Sequence, residues 1–280
     1  ITHGEGIWLH TEDGNSYIDA ISGLWNTPLG YSNKEITASI SEQLARMSSC
    51  ALFDYTYPQI EENASMLLEL CDYNFSKISY TCSGSEAVEL AIKLARKASK
   101  NLGVMQKTTI LALDHSYHGT TYGALSISFS EEKYFFEYGP GMNSAMKIPA
   151  FFENSEGNWH ETLEWISDHS DSIAAVVIEP ILLSYGIQDL SHKFIRSLSC
   201  LCKEKQIFLI FDEVATGFFR SGYPFCYQKY GVCPDILCLS KAINAGYLPL
   251  GGVCISQNVV DILNDCINED FLHGSTQSGN

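Results

Sequence analysis

An α/β fold built on a mainly parallel sheet, with helices covering both faces, is what this sequence predicts. Three observations lead there. Several short segments are apolar throughout, among them Ile173–Ile178, Ile207–Phe211 and Ile236–Leu239, as strands buried on both faces are. They alternate with longer segments of helical periodicity. The chain has 280 residues, 45% hydrophobic and 18% charged, enough to bury a substantial core and unlike a disordered or fibrous protein.

Taken in order, Ile7-Trp8-Leu9 and Tyr17-Ile18 flank the Asp13-Gly14 turn signal and predict a hairpin. Ser32, with Glu35 three residues on, has the spacing of a capping box. It opens a helix that carries Ile36, Ile40, Leu44 and Met47 on one face. A second helix starts with Pro58 in its first turn and turns Ile60, Ala64, Leu67 and Cys71 inward. Then comes a strand near Ile78–Tyr80, a helix over Ser85–Lys100 and a strand over Thr109–Leu113. A less regular stretch rich in Gly, Phe and Tyr runs from Gly119 to Asn158. The alternation resumes with strand Ile173–Ile178, helix His192–Lys205 and strands Ile207–Phe211, Ile236–Leu239 and Gly252–Ile255.

Asp and Glu number 33 against 17 Lys and Arg, giving a formal charge of −16. Such a chain repels a phosphate backbone, so no nucleic-acid partner is expected. The longest apolar stretch, Ile173–Leu183, is broken by Glu179 and Pro180 and falls short of the roughly 18–20 residues a bilayer span requires. No membrane partner is expected. The ten cysteines are scattered singly apart from Cys200 and Cys202, with no CxxC, which predicts reduced thiols in a cytoplasmic protein and no metal site. Ile1 opens the chain and the polar Ser275–Asn280 closes no element, so the sequence reads as cut at both ends.

Ligands of such sheets bind beyond the carboxyl ends of the strands, where chemistry is to be sought. Cys82-Ser83-Gly84-Ser85-Glu86 runs from a strand into a helix and presents backbone amides and a hydroxyl, either an anion seat or an ordinary N-cap. It lacks the GxGxxG and P-loop patterns of nucleotide sites. Asp114–Gly119 places Tyr117 where it could stack on a flat ring or pack in the core; His115 and His118 sit in no HExxH pattern. Asp212 ends an apolar strand and needs a cationic partner. Lys241 ends another, placed either to be solvated or, in a dry pocket, to act as a Schiff-base nucleophile.

Jointly these parts resemble the class III aminotransferases, a subgroup of the fold-type I pyridoxal-phosphate enzymes. The resemblance covers essentially the whole chain. Its most specific stretches are Ser83–Arg96 (SGSEAVELAIKLAR), Tyr117–Gly119 (YHG), Ile178–Pro180 (IEP), Asp212–Phe218 (DEVATGF) and Pro234–Gly252 (PDILCLSKAINAGYLPLGG). It implies a large domain over residues 36–280 with a mainly parallel seven-stranded sheet between helices. Residues 1–35 would be the N-terminal part of a small domain.

The resemblance further implies pyridoxal 5'-phosphate as cofactor. Lys241 would be the residue joined to it and then the base that moves the substrate proton, with Asp212 at the pyridine nitrogen. Tyr117 and Val214 would cover the two ring faces, and Gly84 and Ser85 would hold the phosphate. Thr276 would reach the phosphate of a neighbouring subunit's cofactor, which implies a homodimer with shared sites. Trp25 would line the substrate pocket, and Glu179 matches a position beside the cofactor. The implied reaction is a ping-pong transamination between an amino donor, such as an omega-amino acid or diamine, and a keto acid or aldehyde.

Ala215 within DEVATGF resembles omega-amino-acid:pyruvate transaminases and diaminopelargonate synthase more than the ornithine branch, whereas Thr120 departs from the synthase. Phe219 and the loop Ile181–Tyr185 depart from the common pattern, and the family's C-terminal small domain would follow Asn280. Three alternatives stay open: a truncated or degenerate homologue that keeps the fold without turnover, diaminopelargonate synthase, and an aminomutase.

Overall fold

A computed structural model describes residues 1–131, 137–153, 157–265 and 271–279. Of the ten cysteines Cys266, and of the closing Ser275–Asn280 stretch Asn280, lie outside them.

The first element is a three-stranded antiparallel sheet of β1 (His3–Glu5), β2 (Trp8–His10) and β3 (Ser16–Ile18). Trp8 pairs with Ile18, and Gly14 takes a φ of 82° in the intervening turn, so the expected hairpin forms around Asp13-Gly14. The helix α1 (Lys34–Arg46) is capped differently from expectation. Asn33 is the N-cap, its side chain accepting from the amides of Glu35 and Ile36, while the Ser32 hydroxyl donates to the Gly4 carbonyl. Ser32 sits at φ 57°, so its side chain leaves the helix start and ties it to β1. The apolar face of α1 is not buried either. None of its residues is fully enclosed: Ile36, Ile40 and Met47 are half-buried and Leu44 is exposed. The helix α2 (Pro58–Leu70) starts with Pro at its first turn and buries Leu67, followed by Cys71.

The core is a seven-stranded sheet in the order β4 (Lys77–Thr81), β12 (Gly251–Ile255), β11 (Ile236–Leu239), β10 (Phe208–Asp212), β7 (Ile173–Ile178), β5 (Thr109–Leu113) and β6 (Ala145–Ile148). Every neighbouring pair from β11 to β6 is parallel; β12 alone runs antiparallel to both β11 and β4. Strands β7, β10, β11 and β12 are buried at every residue, which explains their uninterrupted apolar runs. On one face lies helix α3 (Gly84–Asn101), with Ala87, Val88, Leu90, Ala91, Leu94 and Ala98 turned to the sheet. On the other lies the helix His192–Glu204, which buries Phe194, Ile195, Leu198 and Cys202 against β10 and its neighbours.

The described part of the stretch from Gly119 to Asn158, which leaves out residues 132–136 and 154–156, is less irregular than its composition suggests. It contains the short helix Tyr122–Ser126 and the edge strand β6, and the helix Trp159–Asp168 follows it. No helix among the described residues is long and apolar enough to cross a membrane. The nine described cysteines are all free thiols.

Candidate active site

The carboxyl ends of β4, β5, β7, β10 and β11 open on one side of the sheet, and the reversed β12 begins there. A pocket of about 150 Å³ lies at these exits and is lined by Trp25, Ser83, Gly84, Ser85, Tyr117, His118, Gly119, Glu179, Ser184, Asp212, Val214, Ala215, Ser240 and Lys241. Eight of the nine residues singled out from sequence are therefore brought together, across 216 positions from Trp25 to Lys241 (241 − 25). Thr276 is the exception: it is exposed and does not line the pocket. A larger cavity of about 550 Å³ lies at the opposite edge, where β10 and β11 begin, away from these groups.

The wall formed by β4 and α3 is polar. Ser83 is the N-cap, accepting from the Glu86 amide at 3.2 Å, and the ladder starts with the Ala87 amide on the Ser83 carbonyl. The amides of Gly84 and Ser85 thus precede the ladder, at the positive end of the helix, where an anion would be favoured. The Ser85 hydroxyl accepts from the Thr120 amide at 3.1 Å, which leaves its own proton to donate. Both glycines here are sterically required. A Cβ on Gly84 would stand 2.7 Å from Val214 Cγ1, and one on Gly119 (φ 133°) would stand 2.4 Å from Ser85 Oγ.

The floor is a buried hydrogen-bonded pair. Asp212 Oδ2 meets His118 Nδ1 at 2.8 Å, and Oδ1 accepts from the Val214 amide at 3.1 Å. His118 supplies the hydrogen bond to the strand-end carboxylate, although it lies 94 positions away and stood out in sequence only as an unassigned neighbour of Tyr117. The His118 amide is fixed by Ser128 Oγ at 2.8 Å, while its Nε2 is buried with no hydrogen-bond partner among the described residues.

Glu179 is buried beside this pair and accepts from the Tyr117 amide at 2.9 Å. Its carboxyl is pushed up to about 7, chiefly by burial; His118 opposes that shift and Asp212 reinforces it. The Lys241 ammonium stands 5.1 Å from the centre of the Trp25 ring. Burial lowers its pKa, the Asp212 and Glu179 charges oppose that, and Arg220 adds to it. Lys241 sits at φ 45°, an uncommon conformation for a side chain of this kind. Arg220 donates to the Trp25 carbonyl at 3.1 Å, which ties the N-terminal segment to the loop after Asp212. Besides His118, sequence reasoning did not single out Ser184, Ser240 or Arg220. Only their closeness in sequence to Glu179, Lys241 and Asp212 pointed to them.

Comparison with known proteins agrees with this geometry. The chain is 32% identical over 295 residues to adenosylmethionine-8-amino-7-oxononanoate aminotransferase of Staphylococcus aureus (strain NCTC 8325 / PS 47), an alignment covering 100% of this chain and 65% of that protein. It is 34% identical over 279 residues to acetylornithine aminotransferase of Clostridium acetobutylicum, covering 99% of this chain and 67% of the relative. The chain thus spans about two thirds of the length of the curated relatives it matches. Among solved structures, an amine transaminase from an uncultivated Pseudomonas species in its PLP-bound form superposes with a TM-score of 0.94 at 29% identity. That superposition covers 99% of this chain and 66% of the other. The taurine:2-oxoglutarate aminotransferase from Bifidobacterium kashiwanohense, in complex with PLP and glutamate, superposes at 0.87 and 28% identity, covering 96% and 62%. The match to the aminotransferase class-III family extends over residues 1–280, and the chain belongs to that family.

Proposed function

We propose that the protein is a pyridoxal-phosphate-dependent aminotransferase, cytoplasmic and homodimeric, that moves an amino group from a small amino donor to a keto acid or aldehyde. One observation carries the reading: an amine, a buried carboxylate and a helix-start anion seat, at Lys241, Asp212 and Gly84-Ser85, surround a single pocket.

The donor set fits the cofactor. Gly84 and Ser85 offer amides and a hydroxyl to a phosphate. The Asp212 carboxylate, hydrogen-bonded to His118, would pair with the pyridine nitrogen, and Tyr117 and Val214, which line the same pocket, would cover the two ring faces. When bound, pyridoxal phosphate supplies the electron sink that stabilises a carbanion at the substrate carbon. The rest belongs to the chain. Lys241 would be the covalent anchor, and its amine, whose charged form burial disfavours, would take the substrate proton and return it elsewhere. Asp212 would keep the ring nitrogen protonated, Trp25 would wall the substrate side, and buried Glu179 would place a carboxyl next to the reacting region.

The donor class, an omega-amino acid, diamine or similar amine, is supported by Ala215 in the pocket wall and by the likeness to the amine transaminase and the adenosylmethionine-dependent relative. Exposed Leu44, Phe53, Tyr55 and Met66 support a homodimer, as apolar surface that a second copy would cover, with Thr276 serving the neighbour's site. We also take residues 1–35 as part of a small domain, separate from the cofactor-binding residues 36–280.

The test is to load the purified chain with pyridoxal phosphate, reduce with borohydride and map the adduct by mass spectrometry. The expected adduct lies on the peptide holding Lys241. Adduct only on other peptides, or none, overturns the assignment. Turnover of a panel of omega-amino acids, diamines and alanine then sorts the donors.

A further inference from the structure

One buried hydrogen-bond chain links three of the strand exits and is not used by the chemistry above. Glu213, next to Asp212, is fully buried and accepts from the amides of Cys226 and Tyr227 at 2.6 and 2.8 Å and from the Thr216 hydroxyl at 3.2 Å. Those amides start the short helix Cys226–Tyr230. At its other end Tyr230 is also fully buried, and its hydroxyl donates to the Pro180 carbonyl at 2.8 Å. Pro180 has no N–H, so its carbonyl is the one backbone group through which the residue itself can hydrogen-bond; that carbonyl also accepts the Leu190 amide at a longer 3.3 Å. Pro180 directly follows Glu179, whose carboxylate holds the Tyr117 amide.

We propose that Tyr230 is a positioning residue for the pocket: its hydroxyl holds the Pro180 carbonyl and so fixes Glu179 and, through it, the Tyr117 backbone. The helix Cys226–Tyr230 is then a brace that keeps the exits of β10, β7 and β5 in register. The phenol remains a donor, since burial and the neighbouring Asp189 raise its pKa. Asp189 competes for the same proton and is itself held by Lys229. A one-ångström drift at such an exit is enough to cost about 100-fold in rate.

The placement is read without cofactor, by amide hydrogen exchange at Tyr117 in Tyr230→Phe. Exchange there is expected to speed at least about 10-fold while Cys226 and Tyr227 stay protected, because Glu213 is untouched. Unchanged protection of Tyr117, or equal loss at all three amides, overturns the assignment. Asp189→Ala removes the competing acceptor and leaves the hydroxyl to Pro180, so Tyr117 protection is expected to hold, and its loss also overturns it. The catalytic consequence rests on the aminotransferase reading: kcat falls about 10-fold in Tyr230→Phe with KM within about twofold. A wild type that forms no Lys241 adduct defeats that reading alone, whereas the exchange result decides the brace.

Discussion

Glu179 allows a pH experiment with a definite sign. Its carboxyl ionises near the ordinary 4.5 when the chain is unfolded and near about 7 in the folded protein, because burial disfavours its charge. The unfolded state therefore releases this proton first as pH rises. The group's contribution to stability is complete below about pH 4.5 and is lost as pH climbs through about 7. Each pH unit across that gap corresponds to about 1.4 kcal/mol, which makes the loss about 3 kcal/mol. Glu179→Gln removes the titration but keeps an oxygen for the Tyr117 amide. Glu213, displaced in the same direction by its own burial, is present in both proteins and cancels in the comparison. The assay is urea unfolding of cofactor-free wild type and variant at about pH 5 and about pH 8.5, with midpoints converted through the slope. Part of the loss is already present at pH 5, so relative to wild type the variant is expected to gain about 2.5 kcal/mol on going from the lower to the higher pH. A difference between the two proteins that stays constant across that range, or that favours wild type at high pH, refutes the reasoning.

Gly84→Ala pushes a methyl to 2.7 Å from Val214 Cγ1, so the proposed ring-packing side chain must move. Overpacking of about 1–3 kcal/mol should appear as a roughly 5- to 150-fold loss of pyridoxal-phosphate affinity in an absorbance titration. Lys107 is almost fully buried and donates to the carbonyls of Lys205 and Gln206 at 2.6 and 2.9 Å, closing the end of the helix His192–Glu204. Lys107→Met leaves both carbonyls unmet and is expected to cost about 1–3 kcal/mol in urea unfolding. Because burial lowers the Lys241 pKa, its adduct with pyridoxal phosphate should form at a rate that reaches half its maximum below the pH typical of free lysine amines. A midpoint at or above that of free lysine contradicts the dry-pocket placement.

The fold was legible where burial is two-sided. Strands such as β7 carry no polar residue, so their apolar runs stand out whatever their partners are. Edge strand β6 escaped because only Ile148 of its four residues is fully buried and Lys147 interrupts it, so burial never wrote a continuous signal. The helix Trp159–Asp168 does carry a face through Leu163 and Ile166, but it follows a loop-like stretch that masked its start. Ser32 and Asn33 are equally good caps by chemistry. Which one served was decided by a tertiary bond from Ser32 to Gly4, 28 positions back. The site was legible as a set of strand exits. The pairing of His118 with Asp212 was not, because it depends on β5 lying one strand beyond β7 in the sheet.

The reversed strand β12 has a consequence for how the protein comes into being. β4 is the first strand of the large sheet to be made, yet its in-sheet neighbour is the last, with Thr81 paired to Gly251 across 170 positions (251 − 81). Until residue 251 has been synthesised, β4 has no partner, and the helix start at Ser83–Ser85 hangs from an unpaired edge. Contacts of such long sequence separation close slowly, since the loop must be ordered before the pairing rewards it. The anion seat is therefore encoded early in the chain, while the strand that holds it gains its partner only once β12 has been made. During synthesis the exposed edge of β4 is the segment most in need of protection from other chains.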